Sequence, residues 1–251
     1  MRVVLTRPLQ EGRRWAERLG AHGVDAFLLP LIDIAPPRDF EALRAAAASA
    51  DAYAALMFVS GNAVQGFFAA APVFTRARAW APGPATRDAL LAAGVDSQRI
   101  DAPADDAEQF DSESLWSQVQ GQLQPGDRLL LVRGGDAEGR SEGRDWLAQQ
   151  LAAAGVQVDT VVAYTRQRPS WGEAERETAR DAANDGSSWL FSSSEAASNL
   201  RHLLPGQDWS RARALATHPR IAQAVRDLGF GSVMQARPAF EAVLAALESH
   251  R

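Results

Sequence analysis

The sequence contains an internal repeat, and this repeat limits the folds open to the chain more than any other feature. Three blocks recur in the same order about 130 residues further along, with spacings that change by only a few residues. The matched blocks are Arg2–Pro37 with Arg128–Pro169, Phe58–Ala63 with Phe191–Ala196, and Ala77–Gly94 with Ala212–Gly229. A shared bias toward Ala and Arg could account for part of the similarity. The conserved order of the blocks favours a duplicated structural unit.

Short apolar segments alternate with helical segments along the whole chain. The strands predicted inside or beside the repeated blocks include Ala54–Val59, Ala77–Trp80, Trp189–Phe191 and Ala212–Ala216. Helices of about ten residues, often closed by glycine, follow such strands. This alternation predicts an α/β protein with parallel sheets. Taken alone, the repeat would place a domain boundary near Pro125.

Two segments that end in proline are predicted to connect two lobes. Asp159–Pro169 reads DTVVAYTRQRP, which begins as a β-branched strand and continues through Tyr164 into polar residues. Phe27–Pro37, reading FLLPLIDIAPP, has a similar apolar start and proline end. A polar tail ending in proline is not typical of a strand that stops inside a compact sheet. We therefore expect both segments to run between two lobes, with Tyr164 facing the cleft.

Four turns between a predicted strand and the next helix carry the candidate binding residues. They form two matched pairs: Ser60-Gly61-Asn62 with Ser192-Ser193-Ser194, and Gly83-Pro84-Ala85-Thr86 with Thr217-His218-Pro219-Arg220. Parallel sheets bind ligands at the carboxyl ends of their strands, and helix N-termini favour anions by about 0.3–1 kcal/mol each. Any one of these turns is compatible with an ordinary helix cap. Their occurrence in two matched pairs favours a shared site for an anionic ligand.

The composition excludes several classes of function. The net charge is −5, whereas a general binder of nucleic acid or anionic membranes needs a basic surface. There is no cysteine, and all 26 basic residues are arginine, which excludes disulfides, thiol nucleophiles, Schiff-base lysines and a P-loop lysine. No histidine has a second ligand at metal spacing, so no metal is expected. We see no signal peptide and no apolar span of about 20 residues, and expect a soluble, cytoplasmic protein.

A glycine- and arginine-rich loop is predicted after the strand Arg128–Val132. Its glycines are Gly134-Gly135, followed by Gly139-Arg140 and Gly143-Arg144. The pattern is not a GxGxxG fingerprint, and no acidic residue follows where a ribose would need one. The loop is therefore either a substrate-binding loop, with Gly134 as the candidate contact, or a plain surface loop.

Several short motifs occur in the order typical of one enzyme family. The motifs are VVLTRP at Val3–Pro8, FVSGNAV at Phe58–Val64, GPAT at Gly83–Thr86, LVRGG at Leu131–Gly135, GR at Gly143-Arg144, VVAYTR at Val161–Arg166, FSSSEAA at Phe191–Ala197, HPRIA at His218–Ala222 and GF at Gly229-Phe230. They extend over essentially the whole chain. In these motifs the sequence resembles the uroporphyrinogen-III synthases of the tetrapyrrole pathway. It departs from the family pattern at Pro82 and in a long loop at Asp136–Glu142.

The resemblance implies an α/β fold of two Rossmann- or flavodoxin-like parallel-sheet domains joined by a two-stranded β connector. It implies that the chain crosses between the domains twice, with connectors near residues 31–37 and 160–169. One domain would comprise Met1–Ile34 plus Ser170–Arg251, and the other Ala35–Arg168. Each domain would then pair the first block of one repeat with the later blocks of the other. This division replaces the simple split near Pro125.

The resemblance also implies a reaction. Hydroxymethylbilane, a linear tetrapyrrole with eight carboxylates, is closed to uroporphyrinogen III with inversion of ring D and loss of water. No metal or organic cofactor is implied, and the family suggests a monomer. Tyr164 is expected to help the terminal hydroxyl leave as a hydrogen-bond or proton donor, or else to pack in the connector. Backbone amides of the four turns are expected to hold the acetate and propionate groups.

Two other functions can be weighed against this one from the sequence. The first is a non-catalytic, two-lobed binder of a small polyanionic ligand, of the periplasmic type, which would carry a signal peptide. The second is a transferase that uses a nucleotide or sugar donor. That enzyme would need a phosphate loop and usually a catalytic His or acidic residue at a strand end, and neither is found.

Overall fold

The computed structural model of the protein describes residues 2–71, 76–103, 112–141 and 146–249. The strands are β1 (Arg2–Leu5), β2 (Asp25–Leu28), β3 (Asp33–Ala35), β4 (Ala55–Phe58), β5 (Arg78–Trp80), β6 (Ile100–Asp101), β7 (Arg128–Gly135), β8 (Gln157–Gln167), β9 (Ser188–Phe191), β10 (Arg213–Ala216) and β11 (Ser232–Gln235). The helices are α1 (Leu9–Ala21), α2 (Phe40–Ala48), α3 (Gly61–Ala70), α4 (Pro84–Ala92), α5 (Ser112–Val119), α6 (Trp146–Ala153), α7 (Glu173–Ala182), α8 (Ser194–Leu203), α9 (Pro219–Leu228) and α10 (Phe240–Glu248). The α/β class with parallel sheets, predicted from the sequence, is confirmed.

The chain divides into two compact units. Unit 1 contains Met1–Asp33 and Gln167–Arg251, and unit 2 contains Ile34–Arg166. Unit 1 is therefore built from two separate stretches of the chain, whereas unit 2 is continuous.

The sheet of unit 1 has five strands in the order β11-β10-β9-β1-β2. All neighbouring strands in it are parallel. Parallel strands covered by helices on both faces are expected to be apolar throughout. Strand β1, which has a neighbour on each side, fits this rule, since Val3, Val4 and Leu5 are fully buried.

The sheet of unit 2 has six strands in the order β3-β8-β7-β4-β5-β6. From β8 to β6 each pair of neighbours is parallel, and β3 lies beside β8 at the edge. Trp80 on β5 and Phe58 on β4 are fully buried and belong to two separate clusters of buried side chains. The two clusters show that apolar side chains extend from the sheet of unit 2 into two cores.

The internal repeat is visible residue by residue in the strand pairing. The matched pairs are Val3–Ser188 with Leu129–Ala55, Leu5–Leu28 with Leu131–Thr160, and Ala214–Val233 with Ala79–Ile100. In space, the order β2-β1-β9-β10-β11 corresponds to β8-β7-β4-β5-β6. Each sheet thus combines two strands from one repeat with three from the other, and the sheet of unit 2 has β3 as an additional edge strand. The predicted internal duplication is confirmed.

Two strands extend several residues further than the sequence predicts. The strand predicted at Arg128–Val132 continues as β7 to Gly135, because a shift of pairing between Arg133 and Gly134 keeps it hydrogen-bonded to β8. The prediction that Gly134 and Gly135 lie in a loop is therefore wrong. The partner strand β8 extends through the polar tail as far as Gln167.

A polar cluster lies at the amino ends of β7 and β8, the edge opposite the candidate turns. Arg128 Nη2 donates to Asp159 Oδ2 at 2.5 Å, and the Arg128 guanidinium lies over the Tyr53 ring. Burial acts to raise the pKa of Asp159, but hydrogen bonds from Arg128, Gln157 and Tyr53 outweigh it and lower that pKa. Burial, followed by the charge of Asp159, raises the pKa of Tyr53. The cluster is therefore most favourable with Asp159 ionised and Tyr53 neutral.

No helix in the part of the chain that the structure describes is long and apolar enough to cross a membrane.

Candidate active site

Tyr164 lies on β8 and is buried in the core of unit 2, with 6% of its surface exposed. Its hydroxyl oxygen is 3.2 Å from Ser60 Oγ, and either atom could be the donor. This contact joins two residues that are 104 positions apart in the sequence. The structure thus brings together a candidate proton donor and one of the candidate binding turns.

Ser60 is the N-cap of α3. Its backbone is extended, and its Oγ accepts a hydrogen bond from the Ala63 N–H at 3.3 Å. The first N–H groups of a helix have no acceptor within the helix. Gly61 and Asn62, both half-buried, therefore present backbone N–H groups at the carboxyl end of β4. The arrangement is a capped helix N-terminus that can also hold an anion.

The turn Gly83–Thr86 lies next to the Ser60 turn. Gly83 is the N-cap of α4 and Pro84 is the first helical residue, where the missing proline N–H costs no hydrogen bond. A Cβ atom placed on Gly61 would lie 3.6 Å from the Ala85 carbonyl oxygen, so the gap between the two turns is about the width of one methyl group. Thr86 is buried and Ala85 is exposed. The N-termini of α3 and α4 are therefore close together, and the positive electrostatic potentials of the two helix ends add for an anion bound there.

Unit 1 carries the matched pair of turns at the carboxyl ends of β9 and β10. Ser193 caps α8 and accepts from the Glu195 N–H at 3.1 Å. His218 caps α9 through Nδ1, which accepts from the Arg220 N–H at 3.1 Å. Thr217 is buried, whereas His218 and Arg220 are exposed. Ser192, Ser193 and Ser194 are half-buried.

Gly134 is enclosed within β7 and faces the Tyr164 ring. The two residues are paired across the β7–β8 ladder, and a Cβ atom on Gly134 would lie 2.5 Å from Tyr164 Cζ. The Tyr164 ring therefore occupies the space into which a side chain at residue 134 would extend.

The chain after β7 forms a compact turn. Asp136 Oδ1 accepts from the backbone N–H groups of Glu138 and Arg140, and its Oδ2 accepts from Arg140 Nε at 2.7 Å. Arg38 Nε donates to the Ala137 carbonyl at 2.7 Å, which ties the turn to the chain before α2. The glycine- and arginine-rich loop predicted from the sequence also includes Gly143 and Arg144, which lie outside the described residues.

Two buried arginines, one in each unit, were not predicted as functional residues from the sequence. Arg7 and Arg133 occupy the same position in the two repeats and are 8% and 5% exposed. Arg7 pairs with Glu11 and lies 4.2 Å over the Trp15 ring. Burial lowers the pKa of Arg7, and the charge of Glu11 opposes this effect. An arginine occurs at this position in both repeats, and this recurrence was the signal in the sequence for a buried cation in each unit.

The two turns of each unit offer hydroxyls and helix N-termini, which are groups that bind anions. Among the described residues no group of three or more His, Cys, Asp or Glu side chains could hold a metal ion. A phenol next to the Ser60 turn adds a group that can donate a proton at an oxygen.

Comparison with known proteins points to one family. The family model described as uroporphyrinogen-III synthase HemD matches residues 13–245. The uroporphyrinogen-III synthase of Escherichia coli (strain K12) is 28% identical over 260 residues, which cover 99% of this chain and 100% of that protein. The enzyme of Salmonella typhimurium LT2 is also 28% identical, with the same coverage. Among solved structures, uroporphyrinogen-III synthetase from Helicobacter pylori 26695 aligns with a TM-score of 0.63 at 16% identity and covers both chains fully.

Proposed function

The chain belongs to the uroporphyrinogen-III synthase family, and we propose that its four turns and Tyr164 convert hydroxymethylbilane to uroporphyrinogen III. The family reaction is that of a lyase in tetrapyrrole biosynthesis and proceeds without a cofactor. The observation that carries our assignment of residues is the 3.2 Å contact between the Tyr164 hydroxyl and the Ser60 turn. This contact supports the proposal because it brings a phenol beside a helix N-terminus suited to a carboxylate.

The substrate's acetate and propionate groups suit the four turns. Each turn presents backbone N–H groups at the start of a helix of nine or ten residues. An acidic protein can bind a polyanion in this way, because N–H groups and helix dipoles supply local positive potential without a basic surface. Ser193, Thr86 and Thr217 add hydroxyl donors to these amides.

The chemical role of Tyr164 follows from the hydrogen bonds of Ser60. Ser60 Oγ already accepts from the Ala63 N–H, and its own proton can be donated to the Tyr164 oxygen. The phenol proton is then available to the terminal hydroxyl of the substrate. As the C–O bond breaks, the hydroxyl leaves as water, the pyrrole nitrogen stabilises the carbon cation, and Tyr164 remains as a phenolate until ring closure releases a proton. The remaining step closes a long flexible chain on itself, so holding its carboxylates in place contributes a large part of the rate.

The test is turnover of freshly generated hydroxymethylbilane, with separation of the type I and type III products. Type III product from the wild-type protein, and a fall in kcat of about 100-fold or more in Tyr164→Phe, are expected. Tyr53→Phe is the matched control, since Tyr53 is the chain's only other tyrosine and belongs to the cluster at the opposite edge of the sheet. That variant should retain the wild-type rate.

Two results would contradict the proposal. Type I product alone, which forms without enzyme, would leave only a polyanion binder. A Tyr164→Phe variant with full activity would remove Tyr164 from the chemistry. We further propose that the enzyme acts as a monomer in the cytoplasm, which light scattering after size exclusion and cell fractionation would check.

A further inference from the structure

The Tyr164 ring rests against a position where no side chain fits. A Cβ atom on Gly134 would lie 2.5 Å from Tyr164 Cζ, 2.8 Å from the hydroxyl oxygen and 2.9 Å from Cε2. Real Cβ atoms do not approach other atoms this closely, so any residue except glycine must displace the hydroxyl end of the ring. The shift of pairing between Arg133 and Gly134 is what brings Gly134 opposite Tyr164.

The backbone of the same strand is held from another direction by α3. A Cβ atom on Gly66 would lie 2.2 Å from the Ala163 carbonyl oxygen, so α3 packs directly on the residue before Tyr164. Since Ser60 caps this helix, the approach at Gly66 also fixes Ser60 relative to the tyrosine. The phenol oxygen is thus located by contacts to both β7 and α3.

Unit 1 shows that the fold does not require glycine at the positions of Gly134 and Gly66. At the position of Gly134 the first repeat has Pro8, after which the chain turns directly into α1. At the position of Gly66 the second repeat has Asn199, whose Nδ2 donates to the Leu31 carbonyl at 2.8 Å, the counterpart of Ala163. Ile32 stands where Tyr164 would be. Glycine is therefore found at these two positions in the unit that has the tyrosine, whereas the sheet of unit 1 forms without it.

We propose that Gly134 is a positioning residue that sets the location of the Tyr164 hydroxyl for the reaction. This inference rests on the proposed function of Tyr164 as the donor to the leaving hydroxyl. A methyl group at residue 134 moves the phenol oxygen without removing it. Because displacements of about 1 Å can cost roughly 100-fold in rate, kcat should fall while substrate affinity is kept.

The experiment compares Gly134→Ala with Gly135→Ala. The control glycine is next in β7, and its Cβ would meet Val162 and the Arg140 carbonyl at 3.0 Å instead of Tyr164. We expect Gly134→Ala to lower kcat by about 10- to 100-fold with KM little changed and with more type I product. Gly135→Ala should keep the wild-type kcat. In a Tyr164→Phe background, Gly134→Ala should cause no further loss of rate, because the hydroxyl is already absent.

Stability measurements separate misfolding from mispositioning. If Gly134→Ala alone does not fold, Gly134→Ala combined with Tyr164→Leu should fold, since the smaller side chain leaves room for the methyl group. Unfolding in both backgrounds, or a folded Gly134→Ala with unchanged kcat, would overturn the inference. Type I product from the wild-type protein, or full activity of Tyr164→Phe, would instead indicate failure of the proposed function.

Discussion

Replacing Ser60 by alanine should destabilise unit 2 by about 2 kcal/mol, roughly twice the effect of Ser193→Ala on unit 1. The two serines occupy the same position in the repeat, and both cap a helix, at 3.3 Å and 3.1 Å. Loss of either cap costs about 1 kcal/mol. Only Ser60 also contacts a buried phenol, and leaving the Tyr164 hydroxyl without that partner adds about 1 kcal/mol.

Urea denaturation followed by tryptophan fluorescence measures both effects. Hydrogen exchange of peptides from α3 and α8 then assigns each transition to its unit. A double-mutant cycle isolates the contact: in a Tyr164→Phe background, Ser60→Ala should cost only about 1 kcal/mol, the value of the cap. Equal costs for the two serines, or an unchanged cost of Ser60→Ala without the phenol hydroxyl, would refute the reasoning.

Two further predictions concern stability away from the site. The lowered pKa of Asp159 means that its bond to Arg128 stabilises the fold above the ordinary carboxyl value of 3.8 and is lost as pH falls below it. Unfolding free energies from pH 7 to pH 3 should therefore decline less in Asp159→Asn than in the wild type, and parallel declines would contradict this. Gly231→Ala places a Cβ atom 1.9 Å from the Ser210 carbonyl oxygen and should cost about 3 kcal/mol or more. Gly20→Ala, where α1 leaves open space, should instead stabilise by about 0.5–1 kcal/mol, so a similar melting temperature in the two variants would be inconsistent.

The sequence predicted the fold class well because its signals are local and repeated. Apolar runs such as Val3–Leu5 and Leu129–Val132 need burial on both faces, and parallel strands covered by helices provide it. The helix N-termini at Ser60 and Ser193 could be predicted from cap residues placed after apolar runs. The duplication could be predicted because the three blocks keep similar residues in the same order. In the structure the matched residues form matched strand pairs.

The parts that the sequence missed depend on contacts between distant segments. Gly134 and Gly135 favour a loop by local propensity, and only pairing with β8 keeps them in a strand. The Ser60–Tyr164 contact joins the turn after β4 to a residue within β8. The separation of the two residues in the sequence does not predict this contact. The buried state of Arg7 depends on Glu11 and Trp15 packing around it, although arginine is seldom buried.

The division of unit 1 into two stretches has a consequence for synthesis. Unit 2 is continuous from Ile34 to Arg166 and can fold once it has left the ribosome. Strand β1 is made first, but its partner on β9, which includes Ser188, is made only after the whole of unit 2. At about 5–20 residues per second, the wait is roughly 10–40 s. The nascent chain therefore carries an apolar strand, with only β2 available beside it, while the whole of unit 2 is synthesised.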